Sequence, residues 1–198
     1  MPKLRPETRV ERRQELVEAA WRCAAVRGFS DLTVDDVCAE AGVSKGAFYG
    51  YFEQKQDLLL ALLDDDAAAL DRELERITSG SPSGVQRVRR FTEAMLARGE
   101  DAARVQVRAD LWSVLLTEAT VRRRLARVMQ RRRALVRSWI EEAVASGELA
   151  EIPANALASI LLALADGLVL HRALDPNAFQ WRNISRAIDV LLAGVEGA

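Results

Sequence analysis

The side chains best suited to grip a polyanion sit within fifteen positions, in the stretch AGVSKGAFYGYFEQK from Ala41 to Lys55. Four aromatic rings fall at positions 48, 49, 51 and 52 of a chain that is only 6% aromatic. Lys45 and Lys55 are two of the three lysines in a chain that otherwise uses arginine. A lysine ammonium is a compact, rotatable point charge, whereas a guanidinium is a rigid fork. Lysines kept against such a bias suit sites where a mobile charge must meet an oxyanion. Ser44 is a natural helix N-cap, and the helix it opens would turn its first amides outward with partial positive charge. Gly46 and Ala47 keep bulk away from a close approach. Tyr49 and Tyr51 can half-bury their rings and still offer a hydroxyl to a phosphate. Residue types and spacing therefore point to non-covalent binding, with no bond making.

Catalytic groupings are missing. There is no Ser-His-Asp set, no glycine-rich phosphate loop and no HExxH, so the chain is expected to be no enzyme and to use no cofactor and no metal. His171 is the only histidine and reads as a packed or interface side chain. Cys23 and Cys38 are too few for a disulfide framework; they read as small buried hydrophobes or as a redox pair across two helices. Asp166 lies in the most apolar stretch and needs a partner, either a ligand or a helix end or dimer contact. The run RRRLARVMQRRR at 122–133 reads as a solvated helix face, flanked by Glu118, Glu141 and Glu142.

The elements that must position these groups are helical. The chain has 198 residues, 49% hydrophobic and 29% charged, with a formal net charge of −1, so any nucleic-acid surface is a local patch. No apolar signal region opens the sequence, and the longest apolar run is broken by Asp166, so a cytoplasmic protein without a membrane partner is expected. Helical periodicity is nearly continuous and strand alternation is absent. The first helix ends at Gly28, the second runs from the N-cap Thr33 to Gly42, and the third starts at Ser44. A long helix follows from about Lys55 to Ile77. Further helices are expected near 82–98, 101–117, 120–146, 154–174 and 181–195. The fold class is thus all-α, about nine helices: a three-helix head and a larger helical body. Ala41-Gly42-Val43 joining two short helices reads as a helix-turn-helix, with Phe48 and Phe52 turned inward.

Over residues 12–63 the sequence resembles the tetracycline-repressor (TetR) family of bacterial regulators, on the run Ala-Gly-Val-Ser-Lys-Gly followed by Phe-Tyr-x-Tyr-Phe-x-x-Lys. The resemblance implies a DNA-binding domain at 1–54 and a ligand-binding and dimerisation domain at 55–198. It implies that Thr33, Tyr49, Tyr51 and Lys55 bind phosphates and that Lys45, Gly46 and Ala47 meet base edges, with Ser44 opening the recognition helix. Position 50 is Gly, where the family often has a larger polar residue, and position 54 is Gln, a weaker cap than Ser or Asn. The stretch ALADGLVLHRALDP is similar to a helix that builds the dimer in many members.

Ser159, Ala163, Gly167 and His171 recur every four residues and form a ridge of small side chains, matched by Ile184, Ile188 and Leu192 on the last helix. The two helices are expected to pair with their symmetry mates as a four-helix bundle. The resemblance implies a pocket in the body, for which Phe91, Met95, Trp112, Leu115, Leu116, Met129, Trp139 and Asp166 are candidates. With few charged groups inside, its ligand is expected to be small and mostly apolar, neutral or cationic, and the Lys55–Ile77 helix is the expected lever. The function implied is a homodimeric one-component transcriptional regulator, most simply a repressor of a palindromic operator in double-stranded DNA, released by a small-molecule inducer. A DNA-binding regulator without an inducer and a purely structural helical dimer are the alternatives.

Overall fold

A computed structural model of the chain describes residues 6–99, 101, 104–110, 119–175, 177 and 180–194. The described elements are α1 (Pro6–Arg27), α2 (Val34–Ala41), α3 (Lys45–Tyr49), α4 (Lys55–Gly80), α5 (Gly84–Arg98), α6 (104–110), α7 (Ala119–Ala145), α8 (Ala154–Leu174) and α9 (Trp181–Ala193). No β-strand occurs among the described residues. The all-α fold with an N-terminal helix-turn-helix is as expected.

Local chemistry sets the helix ends in the head. The Asp36 N–H donates to Thr33 Oγ1 at 3.1 Å while the Thr33 N–H donates back to Asp36 Oδ2 at 3.0 Å, a reciprocal cap for α2. At the other end Gly42 takes φ 65°, a left-handed turn that only glycine adopts cheaply. Ser44 Oγ accepts the Ala47 N–H at 3.2 Å and starts α3. At the start of α4, Asp57 Oδ2 accepts both the Glu53 and Gln54 N–H groups at 3.0 and 3.1 Å, which ties the entering chain to the first turn. α4 runs past the expected end at Ile77 to Gly80. The Thr78 and Ser79 hydroxyls donate to the Leu74 and Glu75 carbonyls one turn back and so stay satisfied within the helix.

Burial divides the protein into two cores. The head core holds Leu16, Val17 and Ala20 of α1, Val37 of α2, Phe48, Phe52, and Leu58, Leu59 and Leu62 of α4. The body core holds Leu70, Leu74 and Ile77 of α4 with Val88, Phe91, Val136, Trp139, Ile140, Leu161, Leu162 and Ile188. α4 serves both, and its stretch between Leu62 and Leu70 carries Leu63 and Asp66 into the space between the helices. Cys23 and Cys38 are free thiols, Cys38 within the head core and Cys23 packed against it.

α8 is long and apolar enough, by length and composition, to cross a membrane. Here one face, with Ala158, Leu161 and Leu162, packs in the body core. The opposite face leaves Ile160 61% and Leu164 37% exposed, and α9 beside it leaves Val190 and Leu191 exposed.

α5 starts in close approach to α7. A Cβ on Gly84 would collide with the Trp139 carbonyl oxygen and stand 2.9 Å from the Ala143 Cβ. Gly84→Ala is therefore expected to lower stability by about 1–3 kcal/mol, the usual cost of overpacking, read as a lower urea midpoint with an unchanged slope.

Candidate nucleic-acid interface and body cavity

The candidate recognition surface is built on α3, a helix too short to stand alone and pinned by one residue. Phe48 is fully buried and lies 5.3 Å from the Phe52 ring, so the opposite face of α3 is held outward. That face presents Lys45, Gly46, Ala47 and Tyr49 to solvent, with Tyr49 53% exposed. Ser44 is exposed as well, and its hydroxyl proton is still available because the oxygen acts as acceptor in the cap. Tyr51 is half-buried against the head core, with the Arg9 guanidinium 5.9 Å from its ring centre. Arg9 also donates to the Gly50 carbonyl at 3.2 Å, a contact with the recognition helix that the sequence did not mark.

Two of the expected phosphate ligands have other partners. Both donors of Thr33, its N–H and its hydroxyl, are directed at Asp36 Oδ2. These bonds hold the Asp36 carboxyl below its ordinary value, with the Arg27 guanidinium adding to the effect. Lys55 Nζ donates to the Ser30 carbonyl at 3.1 Å and stands 5.0 Å from the Phe29 ring centre. Lys55 thus ties α4 to the α1–α2 turn, with the rest of its hydrogens left for an anion. Lys45 is paired at 2.9 Å with Asp35, both side chains well exposed. That hydrogen bond raises the Lys45 ammonium above its ordinary value.

The body holds a cavity of about 110 Å³. Its apolar lining comes from Leu63 and Leu70 of α4, Met95 of α5, Leu125 and Met129 of α7, and Ala165 and Val169 of α8. Met95, Met129 and Asp166 thus line it as expected. Phe91 and Trp139 do not; they pack ring to ring at 6.4 Å in the body core, and Phe91 edges only a much smaller void. Trp112, Leu115 and Leu116 lie outside the described residues.

The expectation of few charged groups inside fails. Asp66, Arg98, Arg108, Arg132 and Asp166 all line the cavity. Arg98 Nη2 and Arg108 Nη2 reach the two oxygens of Asp66 at 2.6 and 2.8 Å, and Arg108 Nη1 donates to the Arg98 carbonyl at 3.0 Å. Burial pushes the Asp66 carboxyl up, but Arg108 and Arg98 together hold it below its ordinary value. Arg132 belongs to the arginine run read as a solvated face; it is instead buried, with Nη2 3.1 Å from the Ala67 carbonyl and 3.4 Å from Asp71 Oδ1. Burial pushes the Asp166 carboxyl up, and the three guanidiniums pull it down by less.

α6 touches both units. Val107 is fully buried in the head core, and Asp110 accepts the Phe29 N–H at 2.7 Å. The Arg104 guanidinium stands 4.9 Å from the Trp21 ring centre. Arg108, between these, lines the cavity. The sequence offered α4 as the lever; α6 is a second, shorter link.

The expected dimer residues divide by face. Ala163 and His171 are exposed, Ser159 and Gly167 half-buried, and a Cβ on Gly167 would meet nothing within 4 Å. Ile188 is buried in the body core and Ile184 packs against it, so this ridge of α9 faces its own body rather than outward. The side chain of Leu192 lies outside the described residues. Among the described side chains, the large outward apolar residues of α9 are Val190 and Leu191.

An all-α chain with a capped helix-turn-helix head and a cavity-bearing helical body is the architecture of a one-component DNA-binding regulator. Residues 16–62 match the profile of the bacterial regulatory proteins of the tetR family, and residues 84–196 match that of the BetI-type transcriptional repressor C-terminal domain. The chain belongs to the TetR family and is a DNA-binding transcriptional regulator. It is 27% identical over 191 residues to the transcriptional repressor AcnR of Corynebacterium diphtheriae, covering 94% of this chain and 93% of that protein. The same fold occurs in a TetR regulator from Haloarcula marismortui, at TM-score 0.87 and 17% identity over 94% of this chain and 99% of that one. It occurs also in a putative regulator from Saccharomonospora viridis in complex with choline, at TM-score 0.85 and 22% identity over 96% and 99% of the two chains.

The Lys45–Asp35 pair makes a direct prediction. Asp35→Asn removes a negative charge beside the candidate DNA-facing surface and frees Lys45. Operator affinity is expected to rise about two- to fivefold, the scale of an exposed ion pair, with a steeper fall as salt increases. Gel shifts at two salt concentrations check both.

Proposed function

We propose that the protein is a homodimeric cytoplasmic repressor that binds a roughly palindromic operator and is released by a small molecule held in the body cavity. The observation that carries this reading is the outward face of α3: an exposed N-terminal end with Lys45, Gly46, Ala47 and Tyr49 clear of the protein's own packing. Lys45, Gly46 and Ala47 meet base edges in the major groove, and Ser44, Tyr49, Tyr51 and Lys55 hold phosphates. Thr33 suits a phosphate least, since both its donors already serve Asp36. The dimer reading is supported by the exposed apolar face of α8 and α9, where Ile160, Leu164, Val190 and Leu191 lie with the small residues Ala163 and Gly167. A two-fold dimer presents two copies of α3 to successive major grooves.

Release needs a ligand with different affinity for two arrangements of the heads. The cavity sits against α4 and α6, the two elements that also pack in the head core, so a ligand there can bias head position. A quaternary ammonium such as the choline held by the S. viridis protein is recognised over aromatic faces. No aromatic ring is among the described lining residues here, and three guanidiniums are.

Selection of bound fragments from genomic DNA gives the operator, and two variants test the contacts. Tyr49→Phe is expected to weaken all sequences alike, whereas Lys45→Ala is expected to weaken binding and relax base preference. Wild-type operator binding by both variants would sink the contact assignment. Gly167→Trp tests the dimer, since the added ring meets nothing within its own protomer at the Cβ. It is expected to sediment as a monomer with weak operator affinity; a dimer at the same concentration would count against this interface.

A further inference from the structure

The charged lining of the cavity is unbalanced, and the imbalance names a ligand class. Three guanidiniums face it, from α5, α6 and α7, against two carboxylates, from α4 and α8. The two ends of this set differ in how well they are matched. Asp66 takes Arg98 on one oxygen and Arg108 on the other at 2.6 and 2.8 Å, which consumes its charge in short, directed bonds. Arg132 has only long contacts with Asp71, at 3.4 Å from both Nε and Nη2, and Asp71 is 43% exposed, so its charge is spent largely in water. Asp166 makes no ion pair among the described residues, although all three guanidiniums lie near enough to act on it. A buried cation with a weak partner is costly, and a mobile anion that reaches it recovers that cost.

We propose that the cavity takes an organic monocarboxylate with a short apolar body, its carboxylate on Arg132 beside Asp166 and its body against Leu63, Leu70, Met95 and Met129. This rests on the reading of the cavity as the regulator's ligand site. Burial disfavours charge on Asp166 and pushes its carboxyl up, and three guanidiniums act on the same point, so a carboxylate on Arg132 meets more positive than negative charge there. A cation at the same place gains one carboxylate and faces three guanidiniums. A neutral apolar molecule leaves Arg132 as badly matched as before.

The same geometry ties binding to the heads. Arg132 donates to the Ala67 carbonyl at 3.1 Å, a bond from α7 to α4. A ligand carboxylate competes with α4 for that guanidinium, so its affinity differs between states in which α7 holds α4 and states in which it does not. That difference is what release from DNA requires.

The test uses the full-length protein without DNA and three probes with one apolar body: hexanoate, hexylammonium and 1-hexanol. Calorimetry and thermal shift are expected to show hexanoate binding tightest and hexylammonium not binding. Arg132→Met keeps the apolar volume, leaves Asp71 partly solvated, and leaves Arg108 and Arg98 to act on the buried Asp166. It is expected to lose hexanoate affinity by about tenfold, the scale of one charge-assisted hydrogen bond, and Arg132→Lys to recover part of it. Asp166→Asn, which removes the neighbouring carboxylate and supplies an amide donor, is expected to hold hexanoate at least as tightly. No binding of hexanoate, equal affinity in Arg132→Met, or preference for hexylammonium each overturns the proposal. Operator binding by ligand-free protein is measured separately. If it persists while hexanoate fails, only the carboxylate assignment falls. If hexanoate binds as expected and no operator is bound, the regulator reading falls and the site stands.

Discussion

The two guanidiniums on Asp66 are the joint of this structure. A carboxylate in the middle of α4 is closed by Arg98 from the end of α5 and by Arg108 from α6, and Arg108 also holds the last carbonyl of α5. Each of these charges is costly to bury alone, and together they fix three helices around one point. The position of α6 follows from that bond. Once Arg108 is turned to Asp66, Val107 is turned to the head core and Asp110 reaches the α1–α2 turn. One ion-pair triad thus sets how the floor of the head meets the wall of the cavity.

The head itself depends on much shorter-range forces. Thr33 with Asp36, Ser44 with Ala47, and Asp57 with the amides of Glu53 and Gln54 close each helix within three or four residues of chain. Such caps act within the segments that carry them and do not depend on contacts with the body. α3 needs tertiary help most, because five residues cannot repay helix nucleation; burying Phe48 supplies it. In the proposed regulator, a head closed by such local bonds need not deform for the body to respond.

α8 shows how one composition serves two surfaces. Its apolarity would satisfy a membrane's length requirement, yet its inner face packs in the body core. The outer face, joined by Val190 and Leu191 of α9, is the surface we assign to the second copy. Apolar residues on two sides of one helix suit contact with protein on both, as the proposed dimer gives it.

The sequence determined what is local. Period 3.6, Gly42, Ser44 and the inward spacing of Phe48 and Phe52 made the helix-turn-helix legible, because caps, turns and amphipathic stripes act over a few residues. The exposed face of α3 followed from the same spacing. What only the tertiary structure decided is which charged residues lie inside. Arg132 shares the inward stripe of Leu125, Met129, Val136 and Trp139, and Arg98 follows Phe91 and Met95 at helical spacing. Their charge marked them as surface, and the stripes on which they sit were the one available signal. Asp66 lies between Leu62 and Leu70 in the same way. Whether such a residue is buried depends on whether an opposite charge arrives from another helix, forty or more positions away for Asp66 and Arg108. The sequence does not contain that distance. Likewise Ile184 and Ile188 formed a ridge that fitted a partner equally well, and only the packing of α9 on its own body turned it inward. Long-range pairing of charges and the choice between two apolar faces are settled by the packing of whole helices, and no local pattern encodes either.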